Sequence, residues 1–209
     1  MTCSGFNGAG FFNADMIKKG LFVGLIAVAL FLVFKGVKKI DLNSDYSVGQ
    51  PIDSLNHVMV YYNGGVDNVV ERNTEEGYNI GLKYQCVEFV KRYYYEYYKH
   101  KMPDSYGHAK SFFDKAVPDG EINKQRNLIQ YSNPSSAKPK KGDLLVMSGS
   151  LLNRYGHVAI ISNVLEDQVE IIQQNAGPFT ATRELFELTQ LPDGNWKMEH
   201  NRIIGFLRK

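Results

Sequence analysis

The first forty residues and the rest of the chain differ in the arrangement of apolar and polar positions. Fourteen apolar residues run without a charge from Leu21 to Phe34, and lysines flank the run on both sides. A bilayer span needs about 20 residues, and residues 17–40 supply that length if their terminal lysines extend to the headgroups. We therefore predict a tail and membrane-anchor helix within residues 1–40 that binds the lipid bilayer, followed by a polar, turn-prone linker at 41–50.

Two other interpretations of the apolar run remain open. A cleaved signal peptide would begin at the basic residues 16–19, although no small-x-small cleavage site follows the run. A core helix would also be apolar, but this run is apolar on every helical face and lies outside the body of the chain. Two lysines precede the run and three follow it, so the positive charges do not fix a membrane orientation.

The remaining residues, 51–209, have the pattern of one domain in which helix comes before strands. A helix is predicted from about Gln85 to Lys99, because apolar positions recur at spacings of three and four, at Cys86, Phe89, Val90, Tyr93 and Tyr97. A short helix is expected near residues 108–115. Residues 77–83 and most of 118–142 are expected to be loop, since turn residues interrupt them.

Short β-rich segments separated by turn residues occupy the C-terminal third of the chain. They lie at 143–148, 157–164, 168–175, 180–188, 195–199 and 203–207, and an earlier one is expected at 57–62. A helix followed by a run of sequential strands predicts an α+β domain with a mostly antiparallel sheet.

Charge and cysteine content narrow the range of functions. The chain of 209 residues has a net charge of +2, but residues 1–40 hold five lysines and one aspartate. The rest, with 19 basic and 21 acidic side chains, is slightly acidic, so a nucleic-acid partner is not expected. Two cysteines, Cys3 and Cys86, are too few for a disulfide scaffold or a zinc site of cysteine pairs. Neither a metal nor an organic cofactor is expected.

Cys86 is the cysteine of the body, and it falls at the predicted start of the helix. A helix N-terminus favours thiolate over thiol, and its N–H groups can hold the oxyanion that forms when a thiolate attacks a carbonyl. The alternative is a small buried hydrophobic residue. The sequence therefore makes Cys86 a candidate nucleophile.

A candidate base lies at the mouth of an otherwise apolar strand. His157 needs a polar partner there, although a core histidine with a satisfied ring fits the pattern equally well. Side chains alternate between faces in the next strand, which leaves Gln173 or Asn175 to orient the imidazole. A helix cysteine, a strand histidine and a polar residue of the adjacent strand outline a papain-like cysteine hydrolase.

Three motifs of the chain resemble those of the CHAP-domain cysteine amidases. They are the cysteine motif at residues 81–89 (GLKYQCVEF), the histidine strand at 155–161 (YGHVAII) and the triplet Gln173-Gln174-Asn175, where the family has an acid followed by Gln-Asn. The resemblance is strongest to the amidase domain of glutathionylspermidine synthetase/amidase and covers roughly residues 50–209, which sets the predicted amidase domain at residues 51–209. It implies a papain-like fold of the NlpC/P60 superfamily, with N-terminal helices packed on an antiparallel sheet.

The resemblance also implies roles for the three central residues. Cys86 would be the nucleophile and His157 the general base and acid, while Gln173 stands where the family normally has Glu. A neutral amide can accept the ring N–H and fix the tautomer, but it stabilises an imidazolium less than a carboxylate does. The backbone N–H of Cys86 and the side chain of Gln85 are candidate oxyanion donors.

Further positions are expected to contact the substrate. The candidate substrate-binding residues are Lys91, Arg92 and Asn175. The family tends to have two arginines after the Phe-Ala of its helix, whereas this chain has a lysine first, and lysine cannot form the bidentate fork that arginine offers a carboxylate.

Three functions follow from the resemblance and the predicted anchor. The leading hypothesis is a membrane-anchored, extracytoplasmic amidase or peptidase that cleaves peptidoglycan. The second is a cytosolic amidase acting on a glutathione–polyamine amide of the glutathionylspermidine type. The third is a membrane-tethered structural component of a virion or secretion apparatus with a vestigial amidase fold, which the glutamine at position 173 would favour.

Overall fold

In the part of the chain that the structure describes, one apolar helix precedes the body of the protein. The computed structural model describes residues 14–37, 40–151 and 153–209, so Cys3 lies outside the described residues. Helix α1, Ala14–Val37, contains a 19-residue stretch, Met16–Phe34, that is long and apolar enough to cross a membrane, with a mean hydropathy of 2.2. None of that stretch is buried within the protein, which contradicts the alternative of a core helix.

The body is built around an antiparallel sheet of eight strands. They are β5 (Glu121–Asn123), β6 (Leu128–Ser132), β7 (Leu144–Met147), β8 (His157–Val164), β9 (Gln168–Ile172), β10 (Arg183–Gln190), β11 (Trp196–Met198) and β12 (Ile203–Arg208). Their order across the sheet is β11-β10-β9-β8-β7-β12-β6-β5, and every neighbouring pair is antiparallel. The predicted α+β class with a mostly antiparallel sheet is confirmed.

Two hairpins and two helices precede this sheet along the chain. The hairpins pair β1 (Pro51–Leu55) with β2 (Val58–Tyr61) and β3 (Arg72–Glu75) with β4 (Tyr78–Leu82). Helix α2 (Cys86–Tyr98) follows β4, and a 3₁₀ turn (Ala109–Phe112) lies between α2 and β5.

The apolar face of α2 packs against the centre of the sheet. Phe89, Val90 and Tyr93 are fully buried and share one core cluster with Val158 and Ile160 of β8. Tyr97, the last position of the predicted apolar face, is 49% exposed, so the packed part of that face ends at Tyr93. This packing holds the start of α2 against the start of β8.

The sequence pattern misses five short strands, β1, β3, β4, β5 and β6. Residues 77–83 were expected to be loop, but β4 forms there because it pairs with β3, a polar strand with no alternation to detect. Residues 118–142 contain β5 and β6, which become strands through pairing with each other and with β12. The helix expected near 108–115 is only the 3₁₀ turn. These elements depend on partners distant in sequence, which local pattern does not report.

The segment between α1 and β1 makes contacts with the body. The Tyr62 hydroxyl donates a hydrogen bond to the Asp41 carboxylate at 2.5 Å, and the Asn43 amide donates to the Pro178 carbonyl at 2.8 Å. The chain that follows α1 is therefore held beside the 174–182 loop.

Candidate active site

Cys86 is the first residue of α2, and the β4–α2 turn delivers it there. Gln85 has extended backbone dihedrals (φ −84°, ψ 156°) as the residue before the helix. Gly81 has φ +144°, and a Cβ on it would lie 2.9 Å from the Glu88 Cα, so β4 and α2 approach too closely for any other residue. This turn places the sulfur at the N-terminal end of the helix, as predicted.

The environment of the Cys86 sulfur acts on its ionisation in two directions. Burial raises the pKa of the thiol, while hydrogen bonds from the backbone N–H groups of Val158, Val87 and Cys86 itself oppose that rise. The contact with Val158 brings the sulfur next to the first residues of β8. Burial is the larger effect, so the thiol is the favoured form near neutral pH.

His157 is the first residue of β8, and its ring is held by Gln173. The Nε2 of His157 and the Oε1 of Gln173 are 2.9 Å apart, and only 7% of the histidine is exposed. The preceding residue must be a glycine: Gly156 has φ +80°, and a Cβ there would come within 2.5 Å of the Met147 carbonyl oxygen. Of the two orienting residues that strand alternation allowed, the structure pairs Gln173 with the imidazole.

The protonation of His157 follows from this burial. Desolvation lowers the pKa of the imidazole to about 4; the hydrogen bond with Gln173 acts in the opposite direction, and the nearby Arg202 adds to the lowering. The imidazole is therefore neutral near pH 7. With a neutral thiol beside it, the resting pair is thiol and imidazole rather than an ion pair.

The orientation of the Gln173 amide is fixed by acceptors on its other side. Its Nε2 lies 3.3 Å from the Ala181 carbonyl oxygen and 3.3 Å from the Glu184 carboxylate. Both are acceptors, so Nε2 faces them and Oε1 faces His157, where it can only accept. The His157 proton consequently resides on Nε2, which leaves Nδ1 with a lone pair.

The side-chain amide of Gln85 already makes hydrogen bonds through both its nitrogen and its oxygen, so it is not available to donate to an oxyanion in this structure. Its Nε2 donates to the carbonyls of Val66 (3.3 Å) and Asn68 (2.7 Å), and its Oε1 accepts from Asn175 at 2.8 Å. Donation to an oxyanion would require one of these bonds to break. The backbone N–H groups at the start of α2 are better placed as donors.

Lys91 is buried on α2 and does not line the cavity that contains Cys86, although Asn79 and Ser105, whose carbonyls it binds, do. Its ammonium donates to the backbone carbonyls of Asn79 and Ser105 and lies 4.9 Å from the Tyr78 ring centroid. Only 1% of the lysine is exposed, and burial lowers its pKa to about 7.

Arg92, the other candidate for substrate binding on α2, is also occupied. It donates to Glu88 at 2.7 Å and to the Met59 carbonyl at 2.7 Å, and it is 7% exposed. A buried arginine paired in this way holds α2 to β2. The structure brings neither Lys91 nor Arg92 to the cavity.

Two residues near the site were not singled out by sequence pattern. Gln174 was assigned to the opposite strand face, yet it is 1% exposed and joins the Gln85 carbonyl, Glu88 and the Tyr61 N–H. The chain leaves strand geometry after Ile172, so alternation no longer applies. The contact of Glu184 with Gln173 depends on how β10 follows β9, for which the sequence carries no local signal.

Cys86 and His157 open into one cavity of about 790 Å³. Asn175 also lines it, and together with Gln173 it borders a second cavity of about 450 Å³. Asn175 therefore lies between the two spaces, with its amide bonded to Val66 and Gln85. Among the described residues, no cluster of three or more His, Cys, Asp or Glu side chains could hold a metal ion.

A helix-terminal cysteine, a buried histidine and an amide that fixes its tautomer are the arrangement of a papain-like cysteine hydrolase site. Residues 76–175 match the CHAP domain family. The matched range contains Cys86, His157 and Gln173. The resemblance noted from the three motifs is thus confirmed, and the expected enzyme class, a cysteine-dependent amidohydrolase, is the class of that family.

Among known proteins, the chain is similar to trypanothione synthetase of Crithidia fasciculata. The two are 34% identical over 105 residues, which are 50% of this chain and 16% of that protein. Two solved structures also align, described as "The crystal structure of Ly7917" and "The crystal structure of Ly7917 with the hydrolyzing product of MDP". They are 21% and 22% identical, cover 35% of this chain and 29% of theirs, and have a TM-score of 0.26. That score is too low to define a fold.

Proposed function

We propose that this chain is a membrane-tethered cysteine amidase or peptidase that hydrolyses an amide bond of peptidoglycan through an acyl-enzyme. The observation that carries the proposal is the constellation in the larger cavity: Cys86 at the start of α2, and His157 oriented by Gln173 at 2.9 Å. The proposed division into an anchor at 1–40, a linker at 41–50 and an amidase domain of papain-like, NlpC/P60 type at 51–209 belongs to the same hypothesis.

Acylation begins from the neutral pair. As the sulfur of Cys86 attacks the substrate carbonyl carbon, the Nδ1 of His157 accepts the thiol proton and a C–S bond forms. The carbonyl oxygen becomes an oxyanion, which the N–H groups at the start of α2 stabilise. The imidazolium then protonates the leaving amine as the C–N bond breaks. Gln173 accepts from Nε2–H throughout, so the ring keeps its orientation.

Deacylation repeats these steps with water in place of the thiol. His157 removes a proton from the water as its oxygen attacks the thioester, and it returns that proton to the Cys86 sulfur as the C–S bond breaks. The products are a carboxylic acid and the amine released in the first stage. All proton transfers pass through one imidazole.

The assignment of peptidoglycan as substrate is supported by the membrane-length helix joined to a CHAP domain. An anchored domain on the outer side of a membrane would lie beside the cell wall. We expect the full chain to reduce the turbidity of a suspension of purified cell walls, and Cys86→Ala to leave it unchanged. Equal clearing by both proteins would contradict the proposal, because it would not depend on the nucleophile.

A glutathione–polyamine amide is the second candidate substrate. The observation in its favour is the 34% identity over 105 residues to trypanothione synthetase, although the chain covers only 16% of that relative. In this case the apolar helix would hold the domain on the cytosolic side of the membrane. Release of spermidine from its glutathione conjugate by the full chain, and not by Cys86→Ala, would favour this candidate.

A further inference from the structure

The mouth of the catalytic cavity is surrounded by exposed apolar side chains from separate segments of the body. We call Val69, Tyr106, Leu151 and Tyr155 the rim. They are 55%, 64%, 101% and 41% exposed, and all four line the cavity that contains Cys86. Val69 lies between β2 and β3, Tyr106 follows α2, and the other two belong to the β7–β8 loop. Large exposed apolar side chains gathered in one place mark an interaction surface.

The tyrosines of the rim carry cationic neighbours. The Arg72 guanidinium lies 5.7 Å from the Tyr106 ring centroid, and Arg154 lies 4.9 Å from the Tyr155 ring centroid. Arg154 also donates to the Tyr155 hydroxyl at 2.8 Å. Exposed tyrosine and arginine beside aliphatic residues form the composition that suits the boundary between headgroups and hydrocarbon in a membrane.

The membrane-length helix reaches the same mouth. Phe31 and Phe34, at the C-terminal end of Met16–Phe34, line the catalytic cavity together with the rim. Phe31 precedes Phe34 by three residues, which is about 4.5 Å along the axis at about 1.5 Å per residue. In a bilayer crossed by α1, the cavity mouth would lie at the depth where the helix leaves the apolar layer, close to the depth at which interfacial residues insert.

We propose that the rim of the catalytic cavity is seated in the headgroup–hydrocarbon boundary of the bilayer that α1 crosses, so that the amide substrate enters the cavity from the membrane surface. The substrate class is then an amide held at that surface, such as one carried on a lipid. The inference rests on the membrane tether of the proposed function, but not on the hydrolysis, and the two are tested by different measurements.

Depth-dependent fluorescence quenching tests the seating of the rim directly. The chain has one tryptophan, Trp196 in β11, so Trp196→Phe gives a silent background. Leu151→Trp reports from the rim. Leu165→Trp is the matched control, because Leu165 is 44% exposed and follows the far end of β8, about 23 Å along the strand from His157. Each full-length variant is reconstituted into phosphatidylcholine–phosphatidylglycerol vesicles with or without brominated acyl chains.

The rim proposal predicts that Leu151→Trp loses at least about half of its fluorescence in brominated vesicles, whereas Leu165→Trp loses almost none. Val69→Trp is a second rim reporter in case the loop substitution misfolds, and circular dichroism checks the fold of each variant. Equal quenching of rim and control tryptophans would overturn the proposal, as would a blue-shifted rim tryptophan without quenching, which would indicate a protein partner. Failure of the full chain to float with the vesicles would also overturn it, and cell-wall hydrolysis in the same preparations would show that the proposed activity survives.

Discussion

Exchanging the glutamine and the glutamate behind His157 gives a quantitative test of how the imidazole is oriented. In the wild-type protein the Gln173 amide faces His157 on one side and the Glu184 carboxylate, 3.3 Å away, on the other. Gln173→Glu alone removes the donor and sets two carboxylates against each other. At 3.3 Å their repulsion is about 1 kcal/mol in a water-like dielectric and about 5 kcal/mol at an effective dielectric of 20. Glu184 is exposed but position 173 is only 3% exposed, so the repulsion falls between the two figures.

Adding Glu184→Gln to Gln173→Glu places an amide donor at position 184 opposite the new carboxylate at position 173. We expect the single variant to lose stability, and the double variant to recover at least about 1 kcal/mol of it in urea unfolding. A hydrogen bond from Nε2–H to a charged acceptor is about twice as strong as one to a neutral acceptor. The glutamate at position 173 should therefore raise the pKa of His157 from about 4 by roughly one unit. The imidazolium–thiolate form then becomes more populated.

Iodoacetamide alkylation of Cys86 across a pH series, in a Cys3→Ser background, measures that population without a substrate. The double variant should react faster than wild type below neutral pH. The reasoning would be refuted if the two substitutions affected stability additively and the double variant kept the wild-type alkylation profile.

Three further predictions concern the nucleophile, the buried histidine and the β4–α2 turn. Cys86→Ser should keep the fold and lose at least about a thousandfold in amide hydrolysis, measured against wild type with matched circular dichroism, and a loss under tenfold would refute nucleophilic catalysis. His157 has a folded pKa of about 4 against 6.5 unfolded, so the folded state binds fewer protons between those values. Its contribution to stability is complete above pH 6.5 and declines by about 3 kcal/mol as the pH falls to 4. Urea unfolding of His157→Gln should lack that component, and an identical pH slope would contradict it. Gly81→Ala should destabilise the protein by at least about 1 kcal/mol, since its Cβ would meet the Glu88 Cα at 2.9 Å, and a neutral effect in thermal unfolding would show that the turn can relax.

The parts of the fold that the sequence predicts are those whose signal is local. The spacing of apolar residues on α2 follows from one packed face, and the run of strands after residue 142 is apolar and separated by turns, so both were predictable. β4 and β6 are strands because they pair with β3 and β12. A polar or proline-flanked segment has no local sequence pattern that indicates such a pairing.

The candidate site shows the same division. Cys86 and His157 stand at element starts that the pattern locates, and alternation reduces the orienting residue to two candidates. The choice of Gln173 depends on the chain leaving strand geometry after Ile172, because Asn175 adopts φ 57° and turns toward Gln85. The side chains of Gln85 and Lys91 donate to carbonyls of segments that are distant in sequence. The spacing of residues along the chain cannot reveal those hydrogen bonds.

Product analysis on defined muropeptides tests whether Cys86 and His157 cleave an amide of peptidoglycan through an acyl-enzyme. Mass spectrometry of the digest should show one new carboxylic acid and one new amine from a single bond. An acyl adduct should appear on Cys86 during turnover, and Cys86→Ala should yield neither product nor adduct. Intact muropeptides after prolonged incubation with the vesicle-reconstituted wild-type protein, under conditions in which Cys86 reacts with iodoacetamide, would contradict the claim.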